Sequence, residues 1–150
     1  MYKEDVIVFD VDGVLLNTEY IFKEIFDLKL KSDAKWDYFI THCNSDRTQS
    51  YKNVLDLWLC LSSRYKVFIS TVRDERCKKD TLYKLAKCCF FTTEDNLFMR
   101  KSNDYRTATE VKKEHLLQIM KNFNIILFID DDLANCEMAK GLGILTLRKV

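Results

Sequence analysis

Three separate apolar runs in this chain end in side chains that carry oxygen. Val6-Ile7-Val8-Phe9 stops at Asp10, and Val11-Asp12-Gly13 follows. Lys66 to Ile69 leads into Ser70 and Thr71, with Arg73 close behind. Ile125 to Ile129, the most apolar run, gives way to Asp130, Asp131 and Asp132. Carboxylates brought together repel one another unless a cation offsets them. Mg²⁺ suits the task, because it takes oxygens from one or two carboxylates together with water and substrate phosphate. The chemistry open to such a set is a metal-assisted reaction on a phosphate-bearing substrate. Each group alone has a plainer reading. Asp10 to Gly13 could be a polar turn after a strand, and Asp130 to Asp132 could be acids favoured by a helix N-terminus. Their occurrence together favours the metal.

The elements that must position these groups follow from periodicity. Unbroken β-branched and aromatic runs read as strands buried on both faces, as in a parallel sheet. Such sheets bind ligands beyond the carboxyl ends of their strands, so all three clusters belong on one edge. Gly13 lets the backbone turn sharply after Asp12. Helices are expected from about Thr18 to Leu28, Asp33 to Cys43, Gln49 to Arg64, Glu75 to Lys87, Thr109 to Asn122, and Leu133 to Lys140 with Gly141 as its stop. The helix over Gln49 to Arg64 looks heavily buried. One or both of the runs Cys88 to Phe91 and Leu97 to Arg100 form a strand, and Ile144 to Leu147 is the last. Strands alternating with helices indicate an α/β parallel sheet with right-handed crossovers.

Bulk composition sets limits. A chain of 150 residues, 47% hydrophobic and 31% charged, suits one domain with a real core. The formal charge of +1 excludes a global polycation, so any nucleic-acid contact needs a local basic patch. The six cysteines form no C-x-x-C pair and have no His cluster beside them, which argues against zinc and for reduced thiols in a cytoplasmic setting. No leader or membrane-length apolar run is expected. With no proline and three glycines, Asn, Asp and Ser must form most turns. His42 and His115 are expected at the surface, Cys88 and Cys89 in packing, and Trp36, Phe39 and Trp58 in the core.

These three clusters, together with Lys112, resemble in order the motifs of the haloacid dehalogenase superfamily of phosphohydrolases. Val6 to Leu15 resembles the hhhhDxDGh motif, Ile69 to Arg73 the strand ending in Ser or Thr, Lys112 the lysine, and Ile129-Asp130-Asp131 the acidic fourth motif. The T-x-R arrangement favours Thr71 over Ser70, and Lys113 is offset from the lysine position. Within the superfamily the chain is most similar to the phosphatase domain of phage-type polynucleotide kinase/phosphatases, through Leu97 to Arg100, Asp104-x-Arg106, Val111-Lys112 and Phe128 to Asp131. Ala108 and Thr109 depart from the acidic residues that often follow that arginine, and Asp132 replaces a frequent arginine. No G-x-x-x-x-G-K-[ST] loop occurs, so a kinase half is absent from this chain.

The resemblance implies a Rossmann-like three-layer sandwich over residues 1–150, with residues 17–48 as a small helical cap or flap and no full lid. It implies Asp10 as nucleophile, Asp12 as general acid and base, Thr71 and Lys112 as phosphate and charge partners, and Mg²⁺ held by Asp10, the Asp12 carbonyl, Asp130 and Asp131. Gly13, Arg73, Arg100 and Arg106 are candidates for substrate contact, since guanidinium suits phosphate. An open site suits polynucleotide 3′-phosphate ends or nucleotides. A small-metabolite phosphatase and an inactive binding module are the alternatives, with protein phosphatase a minor one.

Overall fold

The computed structural model describes residues 1–150. Five parallel strands lie in the order β5-β4-β1-β6-β7: β1 (Glu4–Phe9), β4 (Lys66–Asp74), β5 (Leu97–Arg100), β6 (Phe123–Asp130) and β7 (Thr146–Arg148). The pleat explains why β1 is apolar at consecutive positions. Ile7 and Phe9 project into one core with Val67, Ile69, Leu97 and Met99 of the sheet. That face is covered by α3 (Lys52–Ser62) and α4 (Lys78–Lys87), which contribute Val54, Trp58 and Leu85. Val6 and Val8 project into the other core with Phe68 and Phe128. There α5 (Ala108–Asn122) and α6 (Leu133–Gly141) supply Leu116, Ile119 and Ala139. Successive side chains point to opposite faces of a strand, and both faces here are dry. The result is the three-layer α/β sandwich.

The remaining segment lies between β1 and β4. A two-stranded antiparallel pair, β2 (Leu16–Asn17) and β3 (Gln49–Ser50), closes the base of an insert that holds α1 (Glu19–Asp27) and α2 (Ser32–His42). Ile21, Ile25, Phe39 and Cys43 give it a small core of its own.

Several expectations need correction. The segment from Gln49 first forms β3, and α3 starts only at Lys52. That helix buries Val54 and Trp58 alone, while Leu59 is exposed, because only one stripe of a surface helix meets the sheet. Trp36 is exposed, since α2 packs through Phe39 instead. His115 is buried rather than at the surface. The Leu97 run is the strand, and β7 begins at Thr146. Gly141 remains within α6, and Gly143, at φ +79°, takes the left-handed position beyond it. Helix α5 starts one residue before its expected start because Thr107 and Glu110 form a capping box.

Cys89 is exposed and carries a turn that glycine usually makes. It sits just beyond α4 at φ +66°, while Phe90 N–H closes back on Leu85 O at 2.8 Å. A side chain in the left-handed region costs about 1–2 kcal/mol. Glycine removes that cost but enlarges the unfolded ensemble. Cys89→Gly is therefore expected to stabilise the fold by about 0.5–1 kcal/mol, read as a higher denaturation midpoint at unchanged slope.

Candidate active site

Strand register assembles the site. Phe9 pairs with Ile129 on one side and Ile69 on the other, so Asp10 emerges beside Asp130 and close to Ser70 and Thr71. Asp10 N–H donates to Ile129 O at 2.9 Å, which joins the two acidic strand ends directly. The pleat sends Asp10 to the same face as Val6 and Val8, the face that α5 covers. Lys112 comes from that helix, on the same inward stripe as Val111, His115, Leu116 and Ile119.

The Lys112 ammonium lies 2.8 Å from Asp10 Oδ1 and 2.5 Å from Asp130 Oδ2, and all three side chains are almost fully buried. Burial alone would push the lysine toward neutrality, but the two carboxylates outweigh it and raise its proton affinity. Burial raises the Asp10 carboxyl well above its ordinary range, with Lys112 opposing and Asp130 adding to the rise. Desolvation and the Asp130 charge likewise raise Asp131.

One oxygen each from Asp10, Asp130 and Asp131 lies within 4.8 Å of the others. Three carboxylates against one ammonium leave the cluster formally negative, and the donors are all hard oxygens. That set fits Mg²⁺. Gly13, at φ +82°, passes against the Asp131 carboxylate, and a Cβ there would collide with it. Two requirements therefore meet at Gly13: a left-handed turn and room for the Asp131 carboxylate. The third acid has a different task. Asp132 caps α6, accepting from Ala134 N at 2.7 Å and Asn135 N at 3.2 Å. The acidic run is thus divided: Asp130 and Asp131 join the carboxylate cluster, and Asp132 caps the helix.

Asp12 turns away from the cluster. Arg73 Nη2 and Nε reach its Oδ1 and Oδ2 at 2.7 and 2.9 Å. Arg73 is buried, yet the Asp12 charge more than compensates for lost hydration and raises its proton affinity. Its remaining donors go to Asn44 Oδ1, Thr81 Oγ1 and Cys43 O. All five guanidinium N–H groups are thereby engaged within the protein. Thr71 is buried at the end of the same strand, and its Oγ1 accepts from Arg73 N at 3.2 Å, which leaves the hydroxyl proton free to donate. Arg100 donates to the carbonyls of Val72, Asp104 and Arg106, and Arg106 pairs with Asp104 and Glu114. These two arginines brace the 101–107 loop. Arg106 also lines a cleft of about 320 Å³ along β5 and α5, which none of the strand-end carboxylates reaches.

Sequence reading missed two amides. Asn135 Nδ2 donates to both Asp130 oxygens at 3.3 Å, and Asn135 Oδ1 accepts from Thr109 Oγ1 at 2.9 Å. A buried amide on an otherwise apolar helix stripe beside Cys136 and Ala139 was the available signal. Asn44 carried none, since it reads as an ordinary turn residue. The Ser70–His115 contact, 2.9 Å, likewise has no local signal, because an isolated histidine reads as a surface residue.

Residues 2–142 match the family model described as haloacid dehalogenase superfamily, subfamily IIIB (acid phosphatase). No curated protein matches the chain. Among solved structures, one of the Pnkp1/Rnl/Hen1 RNA repair complex superposes at TM-score 0.76 and 20% identity, covering 98% of this chain and 42% of that one. The class C acid phosphatase of Bacillus anthracis gives 0.72 and 16%, covering 90% and 54%. A haloacid dehalogenase-like hydrolase of Streptococcus pneumoniae gives 0.66 and 20%, covering 97% and 84%. The chain thus spans less than half of the RNA repair chain that it resembles.

Two outcomes test the electrostatics. Lys112→Met leaves Asp10 and Asp130 buried without their cation, and should lower the unfolding free energy at neutral pH by about 3–5 kcal/mol. His115 is held at a pKa of about 4, below its ordinary value, chiefly by burial. The unfolded chain therefore binds the extra proton first, and stability falls as pH drops from about 6.5 to about 4. In His115→Gln the loss across that window should be smaller by about 3 kcal/mol, measured by urea unfolding at each pH.

Proposed function

Since this chain belongs to the haloacid dehalogenase superfamily, subfamily IIIB, a family of acid phosphatases, we propose that it hydrolyses phosphate monoesters through a phosphoryl group carried transiently on Asp10. The observation that carries this reading is the grouping of Asp10, Asp130 and Asp131 oxygens within 4.8 Å beside the Lys112 ammonium. In the first step an Asp10 oxygen bonds to phosphorus, and the bond from phosphorus to the ester oxygen breaks. Asp12 gives its proton to that departing oxygen. In the second step Asp12 takes a proton from water, whose oxygen attacks the phosphorus and frees Asp10.

Asp10, Asp130 and Asp131, with the Asp12 carbonyl, would hold Mg²⁺. The ion would offset charge as the phosphate dianion nears the anionic nucleophile. Lys112 neutralises Asp10 from the buried side. Thr71 donates its hydroxyl to a phosphate oxygen, and the Gly13 turn leaves room for the Asp131 carboxylate. Arg100 and Arg106 hold the loop at the flank of the site, where a longer substrate would run.

The preferred substrate class is a polynucleotide 3′-phosphate end or a nucleotide. The likeness to the RNA repair structure supports it, as does the modest size of the insert over residues 17–48, which we read as a partial cap on a single domain. No helix is long and apolar enough to cross a membrane, which is compatible with a cytoplasmic setting. A small-metabolite phosphatase is the second reading, supported by the likeness to the acid phosphatase fold.

Phosphate release should be measured from a 3′-phosphorylated oligonucleotide, from nucleotides and from glycerol phosphate, with Mg²⁺ and with EDTA. Turnover should require the metal and fall by at least about 10³-fold in Asp10→Asn, as for loss of a nucleophile. Turnover of glycerol phosphate alone would move the substrate to small metabolites. An Asp10→Asn variant as active as the natural chain would sink the covalent mechanism.

A further inference from the structure

We propose that Asn44, at the end of the insert, is a positioning residue for Asp12 and acts through Arg73. The inference rests on the acid–base role proposed above for Asp12. Arg73 side-chain atoms are wholly shielded from solvent, while Asp12 keeps a small exposed edge. The guanidinium is a rigid planar fork, so its plane dictates where a paired carboxylate can sit. Two contacts from Asp12 hold one edge of that plane. The opposite nitrogen, Nη1, is held by Asn44 Oδ1 at 2.6 Å and more loosely by Thr81 Oγ1 at 3.2 Å. Asn44 is in turn oriented by its own amide, which donates to Thr81 Oγ1 at 3.3 Å.

Removing the Asn44 oxygen takes away the shortest contact on that side. A buried cation then keeps only the threonine there, and its plane can pivot about the strand. Asp12, gripped at two atoms, must follow. Asn44 directly succeeds Cys43, whose carbonyl also accepts from Arg73 at 3.4 Å. The end of α2 thus sets the aim of the acid, and the insert completes the site rather than merely covering it.

A misaimed acid has a chemical signature. Proton delivery matters when the leaving oxygen cannot depart as an anion, and hardly at all when it can. Glycerol phosphate needs the proton, and dinitrophenyl phosphate does not. Steady-state kcat on both esters should be compared for the natural chain, Asn44→Ala, Arg73→Lys and the double variant. The loss in Asn44→Ala should be roughly tenfold greater on glycerol phosphate than on dinitrophenyl phosphate, a modest part of what general acid catalysis provides. In the Arg73→Lys background, which lacks the planar fork, the further effect of Asn44→Ala should vanish.

Equal losses on the two esters would mean general loosening and would overturn the proposal. So would an undiminished Asn44 effect in the Arg73→Lys background. A natural chain that hydrolyses neither ester would instead remove the phosphatase reading itself, and this inference with it.

Discussion

Everything at the strand ends depends on one buried ammonium. Lys112 stands between Asp10 and Asp130, and all three side chains are almost fully shielded from solvent. Two adjacent carboxylates out of water would otherwise repel and take up protons. The lysine can reach them only because α5 lies flat on the Val6–Val8 face of the sheet, with Leu116 and Ile119 packed beneath it. The apolar contacts of that helix are therefore also the support of the charge cluster. Its start is fixed as well, by the Thr107–Glu110 capping box one turn before Lys112.

The site divides into two halves with different electrostatics. One half holds Asp10, Asp130, Asp131 and Lys112 and is short of positive charge. The other pairs Asp12 with Arg73 and is balanced within itself. Gly13 follows both aspartates, and its left-handed turn brings no side chain against the Asp131 carboxylate. Two aspartates only two positions apart thus keep different partners, Asp10 beside Lys112 and Asp12 beside Arg73.

The parts legible in the sequence were those governed by simple periodicities and by charges with no apolar excuse. Consecutive apolar positions in β1 required both faces to be covered, and strand ends in parallel register required Asp10 and Asp130 to meet. Lys112 could be placed by motif spacing. Residues whose role comes from tertiary neighbours were not legible. His115 sits on the same helical stripe as Lys112, but an isolated histidine gives no sign that a serine and a carbonyl await it. Arg73 was readable as a phosphate ligand from its chemistry. Its partner is a carboxylate of this chain, across 61 positions of sequence, which no local pattern encodes. Cys89 in a glycine position, and Trp36 left outside, show the same limit.

The insert keeps Ile21, Ile25, Phe39 and Cys43 in a cluster separate from the two cores that clasp the sheet. Apart from Ile40 of α2, which packs against the core under α3 and α4, mutations in α1 and α2 therefore fall outside the packing on which Asp10 and Lys112 rely. Natural variation can remodel the outer wall of the site at little risk to the scaffold, so long as the Cys43–Asn44 corner keeps its place. The segment is in this sense an exchangeable part: descendants of this chain could change diet while retaining the same engine.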